Sequence, residues 1–236
     1  MRIWHICDIH DHQEFLMVRK DIDMVICSGD ICNSKDLYFN EQETNRFIDW
    51  FSKLDIEYKI FVAGNHDIAI SKKKKYYKKV FKDNNIIYLE DQSIEIEGIK
   101  ILGSPYTPTY GIGWVFTKSR EKLYNHWQKF KNYEFDILVT HGPPKNILDL
   151  TISRTNDYEV VGDNSLLNFI LDKKPILSMF GHIHNTKNVI NSGIKKIPNL
   201  RTIFSNAAIV EDGKFNKIVS NGNYFEIIDK QVKIYE

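Results

Sequence analysis

Five short clusters of histidine, aspartate and asparagine punctuate this chain, and each ends an apolar run of strand length. They are Asp8-Ile9-His10, Gly29-Asp30, Gly64-Asn65-His66-Asp67, His141-Gly142 and Gly181-His182-Ile183-His184. If the apolar runs are parallel strands of an α/β sheet, their carboxyl ends lie side by side, and the loops there open into one crevice. Asp8 and His10 are two residues apart, so an extended backbone points both to the same side, and the same holds for His182 and His184. Five of the eight histidines fall inside these clusters. Glycine adjoins four of the clusters, as expected where backbone must turn tightly or approach a ligand.

The intervening sequence supports alternation of strands and helices. Arg2–Cys7, Asp23–Cys27 and Tyr58–Val62 read as buried strands, and Gln42–Leu54 carries Phe47, Ile48, Phe51 and Leu54 at helical spacing. A short helix is plausible around Phe15–Arg19. The lysine-rich stretch Lys72–Lys79 reads as a helix with a solvated basic face, the alternative being a phosphate-attracting rim. Ile86–Leu89, Ser93–Glu97 and Ile99–Leu102 are strand candidates with Gly98 as a turn. Ser104–Trp114 is expected to be a long loop, and Thr117–Phe130 and Asn164–Leu171 to be helices. Further strands are predicted at Asp136–Thr140, Ile176–Phe180, Arg201–Ser205, Tyr224–Ile228 and Gln231–Tyr235. A single domain over residues 1–236 is the simplest organisation.

Composition narrows the function classes. A net charge of +1 leaves no global field to steer the chain to nucleic acid or an anionic membrane. No apolar run approaches the ~20 residues of a membrane span. The first cluster starts at Asp8 with no basic and apolar leader before it, so a cytoplasmic location is expected. Cys7, Cys27 and Cys32 lack a disulfide spacing and read as small buried hydrophobes, with Cys32 as a metal ligand the lesser alternative.

Imidazole and carboxylate without thiolate favour two divalent ions of the Mn, Fe, Ni or Zn type, manganese first. Asp30, alone in its loop, is the natural bridge. Two cations, two aspartates and a bridging hydroxide leave about one positive charge, which suits a phosphate oxygen, and metal binding brings the pKa of water to about 7. His66 is expected to protonate the leaving alkoxide, with Asp67 holding its tautomer.

In this order the clusters resemble the signature of the calcineurin-like metallophosphoesterase superfamily: D-x-H, G-D, G-N-H-[DE], a lone His before Gly, and G-H-x-H. The resemblance spans residues 8 to 184. Gly103–Trp114 (GSPYTPTYGIGW), Thr140–Pro144 (THGPP) and Ser205-Asn206-Ala207 further resemble a branch of small single-domain phosphodiesterases. The resemblance implies that Asp8, His10, Asp30 and His184 hold one metal and Asp30, Asn65, His141 and His182 the other. His66 would be the proton donor, with Asp67 as its partner. It implies two mixed β-sheets packed as a sandwich, flanked by helices on both outer faces. The chain departs from the family pattern at Ile31-Cys32-Asn33 and at Asn185-Thr186, which bear on substrate choice.

The expected activity is hydrolysis of a small (cyclic) nucleotide or similar phosphodiester. The alternatives are a phosphomonoesterase acting on a nucleotide or phosphoprotein, a nuclease using the lysine helix, and a non-catalytic scaffold. No obligate nucleic-acid partner is expected, and the oligomeric state is left open. Among the remaining residues, His5 reads as core or intersheet, His12 as an exposed loop residue, His126 as surface and Asp163 as a helix N-cap. Tyr106, Tyr110 and Trp114 could stack a substrate ring or pack the long loop on itself.

Overall fold

The computed structural model describes residues 1–153, 155–186, 188–211 and 217–235. Two six-stranded mixed sheets form its centre. Across the first, the strands run Gln231–Ile234, Asn223–Ile228, Arg2–Ile6, Met24–Cys27, Tyr58–Phe61 and Ile87–Tyr88. Across the second, they run Gly193–Lys196, Ile203–Asn206, Leu177–Phe180, Ile137–Thr140, Ile99–Ser104 and Gln92–Ile96. The inner strands of both sheets are parallel, with Ile3 opposite Met24, Met24 opposite Tyr58, and Leu177 opposite both Ile137 and Ile203. Antiparallel strands close three of the four edges, and Ile87–Tyr88 closes the fourth by parallel pairing with Tyr58–Phe61.

Strand alternation directs the apolar strand residues of the described chain into three cores. Ile3, Met24 and Ile26 point between the sheets, where they meet Ile101, Ile137, Val139 and Met179. Their neighbours Trp4, Val25 and Cys27 point outward against Phe47, Phe51, Tyr77 and Phe81 of the helices Leu37–Ser52 and Lys74–Asp83. On the far side Leu102, Leu138, Phe180 and Phe204 pack on Trp127, Leu166 and Ile170 of the helices Arg120–Gln128 and Asn164–Lys173. Strands covered on both faces are apolar at every position, which is why they read as continuous runs. The result is the helix–sheet–sheet–helix sandwich implied by the resemblance.

Several boundaries differ from expectation for local reasons. The first long helix starts at Leu37, because Asp36 caps it by accepting from the Tyr38 and Phe39 N–H groups. Tyr38 and Phe39 are exposed, so apolar spacing conceals that turn. The lysine-rich stretch breaks at Lys73 into the helices Ile68–Lys72 and Lys74–Asp83. Two of its cations are engaged at short range, Lys73 with Glu41 and Lys74 with Glu90, both at 2.6 Å. Thr117–Lys118 is a short strand paired with Thr107–Pro108, and the helix after it begins at Arg120, capped by Ser119. A 3-10 turn at Gln13–Phe15 takes the place of the helix considered near Phe15–Arg19. Asp163 caps its helix as expected, accepting from the Ser165 and Leu166 N–H groups.

Two histidines settle differently. His5 is fully buried and joins the two sheets, with Nδ1 2.7 Å from Ser205 Oγ and Nε2 2.9 Å from Ser28 Oγ. His126, expected at the surface, is buried; its Nε2 lies 2.9 Å from Ser104 Oγ and 3.3 Å from Asp91 Oδ1. Those partners are distant in sequence, so the helix alone does not reveal them.

Candidate metal centre

All five clusters lie beyond the carboxyl ends of parallel strands. Asp8 and His10 follow Arg2–Ile6, Asp30 follows Met24–Cys27, and Asn65 and His66 follow Tyr58–Phe61. From the second sheet, His141 follows Ile137–Thr140, and His182 and His184 follow Leu177–Phe180. Backbone hydrogen bonds sew the loops together: Asp8 N–H donates to Gly29 O, His10 N–H to Asp30 O, and Gly181 N–H to His141 O. Cys7 pairs with the 207–209 segment in both directions, which ties the first loop of one sheet to the last strand of the other.

The donor atoms converge. One ligand atom from each of Asp8, His10 and His184 lies within 4.8 Å of the others, and the same is true of Asp30, His141 and His182. Asp30 also groups with His10 and His66 at that range, so its carboxylate reaches both sets. Asn65 Oδ1 lies 2.9 Å, and Asp30 Oδ2 3.3 Å, from His141 Nε2. All seven residues named as candidate ligands from sequence therefore meet around one small volume.

The tautomers suit cation binding. His10 Nδ1–H donates to Cys32 O at 2.8 Å, which leaves Nε2 as an inward lone pair without a hydrogen-bond partner. His141 Nδ1–H donates to Ser28 O at 3.0 Å, so its Nε2 also faces inward. Asp8 Oδ2 accepts the His182 N–H at 2.7 Å, while buried Oδ1 accepts no hydrogen bond and lies 3.3 Å from His184 Nε2. Lone pairs aimed at a common buried point are costly unless a cation satisfies them. The donor set therefore fits divalent metals, and imidazole with carboxylate suits borderline ions.

Electrostatics follow from burial and crowding. Burial and the nearby histidines hold His10 near 3, and burial with His141 does the same to His182, so both rings are neutral donors. Burial pushes the Asp30 carboxyl up, but His141, His66 and His10 outweigh it and hold it well below the usual carboxylate range. His141 is the counterpart: burial opposes its charge, yet Asp30 and Asp8 raise it to about 9. A cation bound beside Asp30 would take the place of a proton on His141 Nε2.

Asp67 does not partner His66, contrary to expectation. Its carboxylate accepts four backbone N–H groups, from Asp30 at 3.1 Å, Ile31 at 3.0 Å, Cys32 at 3.3 Å and Gly64 at 2.6 Å. Burial and the Asp30 charge push it up to about 7. The four N–H donors favour its anion, as would cations bound beside Asp30. Asp67 thus shapes the loop that presents Asp30. His66 Nδ1 is buried without a hydrogen-bond partner, Nε2 lies 4.0 Å from Asp30 Oδ2, and burial lowers its pKa.

The thiols have partners of their own. Cys32 Sγ lies 3.2 Å from Thr44 Oγ1. Cys7 Sγ groups with Asp8 and His141 but donates to Gly29 O at 3.5 Å, and burial raises its pKa well above normal.

A cavity of about 540 Å³ opens onto the donors. The long loop forms one wall: the Trp114 ring lies 4.1 Å from that of His66, and Tyr110 lies 5.0 Å from His182. Tyr106 instead turns inward against Phe116 and His126. His12 is half-buried, with Nδ1 2.6 Å from the His10 carbonyl oxygen. Sequence reading missed two contributors. Asn206 donates to Leu148 O and Ile183 O, which steadies the His182–His184 loop. Arg120 lines the cavity, although nothing in its neighbourhood of sequence marks it.

Among the described residues, no helix is long and apolar enough to cross a membrane. The family model for calcineurin-like phosphoesterases matches residues 1–186. Metallophosphoesterase domain-containing protein 1 of Homo sapiens is 33% identical over 174 residues, covering 64% of this chain and 52% of its own length. The chain thus spans about half the length of that relative. UPF0046 protein K07C11.7 of Caenorhabditis elegans is 27% identical over 90% of this chain and 71% of its own length. Among solved structures, the phosphopantetheinyl hydrolase PptH of Mycobacterium tuberculosis shares the fold with a TM-score of 0.54 at 13% identity, over 86% of this chain and 87% of that one. With this match over most of its length, and with the clusters assembled in one crevice, the chain belongs to the calcineurin-like phosphoesterase family.

Proposed function

We propose that the chain, as one domain over residues 1–236, is a dinuclear metal-dependent phosphodiesterase acting on a small nucleotide-like diester. The observation that carries this reading is the reach of Asp30 to both donor groups, His10 on one side and His141 with His182 on the other. Asp8, His10, Asp30 and His184 would hold one ion and Asp30, Asn65, His141 and His182 the second. Ions held there would polarise phosphoryl oxygens and acidify water to a nucleophile at neutral pH.

The chain's own residues supply the rest. His66 stands at the edge of the donor cluster and faces the cavity, where its Nε2 can deliver a proton to a departing alkoxide. Trp114 packs against that ring and restricts its orientation. Tyr110 and Trp114, with ring centroids 6.0 Å apart, offer a flat apolar wall for a base or sugar. The cavity is of a size that encloses a nucleotide. A relative named as a metallophosphoesterase and a structural neighbour named as a hydrolase support hydrolysis as the reaction class.

The test compares bis(p-nitrophenyl) phosphate with p-nitrophenyl phosphate, and cyclic with linear nucleotides, using Mn, Ni, Fe or Zn. The diesters are expected to turn over faster, with Mn among the supporting ions. Faster turnover of the monoester would overturn the diester reading. His66→Ala is expected to keep its metals and lose about 10²–10⁴ in kcat. Unchanged kcat would remove His66 from the mechanism.

A further inference from the structure

Arg120 is the cavity residue that the proposed chemistry leaves unused. It is the first residue of its helix, and it lines the same cavity as Asp30, His66, His182 and His184. Its guanidinium is fixed in place: Nη1 donates to Gly162 O at 2.8 Å and Nη2 to Val161 O at 2.9 Å. Val161 and Gly162 line the cavity too, so the head group rests on the wall itself. That wall is stiff, because Asp149 Oδ2 accepts from the N–H groups of both Gly162 and Asn146 at 2.9 Å. The two carbonyls accept hydrogen bonds without cancelling the charge. Among the described residues no carboxylate pairs with Arg120, whereas Arg2 holds two and Arg19 and Arg46 one each.

A guanidinium has five donors, and two carbonyls do not exhaust them. The remaining N–H groups sit in a fixed fork, the geometry that matches phosphate or carboxylate oxygens. The fork is bonded to the Val161–Gly162 turn and not to any donor of the metal cluster. Because it lines the same cavity without bonding the cluster, it is free to meet a part of the substrate other than the phosphoryl group held there. We propose that Arg120 forms a second anion subsite, so that the preferred substrate carries a negative group beyond the scissile phosphodiester. This deepens the phosphodiesterase reading and rests on it for the position of the first phosphate. It favours a 5′-phosphorylated dinucleotide, or another nucleotide ester with an additional phosphate, over a cyclic mononucleotide or an unphosphorylated dinucleoside monophosphate, each of which has one charge.

Calorimetric binding to the Mn-loaded protein tests this without requiring turnover. The probes are thymidine 3′,5′-bisphosphate and thymidine 5′-monophosphate. The wild type is expected to bind the bisphosphate at least tenfold more tightly. Arg120→Gln should abolish that preference while leaving monophosphate affinity within about threefold, and Arg120→Lys should retain part of it. Because Arg120 also fastens the Val161–Gly162 turn, unchanged monophosphate affinity serves as the check that the cavity is intact. A wild type without preference, or a preference that survives in Arg120→Gln, overturns the subsite. So does equal weakening of both ligands in both variants, which marks Arg120 as purely structural. Failure of the phosphodiesterase reading looks different: bis(p-nitrophenyl) phosphate remains intact while the binding preference and its dependence on Arg120 persist.

Discussion

Four donor residues occupy the left-handed backbone region that L side chains avoid: Asp8 at φ 52°, His10 at 47°, Asp30 at 53° and His182 at 69°. Asp and His tolerate this region better than most residues, but each such position costs about 1 kcal/mol or more. Strain clustered on the candidate ligands, together with their partnerless buried lone pairs, is a cost that a cation bound there would offset. His141 sets the pH dependence of that offset. Its folded pKa is raised to about 9 by Asp30 and Asp8, yet it must be neutral at Nε2 to ligate. Protons therefore compete with metal below about pH 9 and progressively less above it. Apparent Mn affinity should strengthen from pH 6.5 to pH 8.5, and binding should release protons. Calorimetry at each pH, in buffers of different ionisation enthalpy, reads both quantities; an affinity flat across that range contradicts the competition.

At the scale of elements, the donors were legible because each apolar run stops at chemistry. Strands buried on both faces stand out as runs, and a loop beyond a parallel strand has few reasons to carry His next to Gly. The supporting parts were less legible because their partners lie far away in sequence. Asp67 looks like a neighbour of His66, and only the folded chain shows that its oxygens face the 30–32 loop. Arg120 looks like an ordinary helix residue until the turn at Val161–Gly162 meets it. Gly181 shows how closely the elements are fitted. A Cβ there would strike Asp8 Oδ2 and Cys7 Sγ, with Cys7 Cβ only 2.7 Å away. Asp8 Oδ2 is the atom that accepts the His182 N–H, so any shift disturbs candidate ligands from both sheets at once. Gly181→Ala should fold, with a loss of about 1–3 kcal/mol from overpacking. It should bind at least one metal markedly less well. Metal content by mass spectrometry and urea unfolding measure the two effects, and two tightly held metals per chain would show that the contact is unimportant.

Across the whole molecule, the centre exists only while the two sheets hold their relative position, since Asp8, His10, Asp30 and Asn65 come from one and His141, His182 and His184 from the other. Most of that intersheet contact is apolar and indifferent to pH. Outside the donor cluster, His5 is an exception. It spans the sheets through the Ser28 and Ser205 hydroxyls, and burial, opposed in part by the Asp8 charge, lowers its pKa from 6.5 to about 3. Because the folded value lies below the unfolded one, the unfolded chain takes up the proton first. The contribution of neutral His5 is fully present above pH 6.5 and is lost as pH falls from there toward 3. One pKa unit corresponds to about 1.4 kcal/mol, so this site should cost on the order of 2 kcal/mol between pH 7 and pH 5. His10 and His182 carry shifts of the same sign, so the measurement must isolate His5. His5→Gln preserves hydrogen bonding and does not titrate. In chelator, to remove metal-linked protons, the variant should be less stable than wild type at pH 7, yet lose about 2 kcal/mol less on going to pH 5. Equal pH slopes for the two proteins in urea unfolding would mean that the intersheet contact is not what acid weakens.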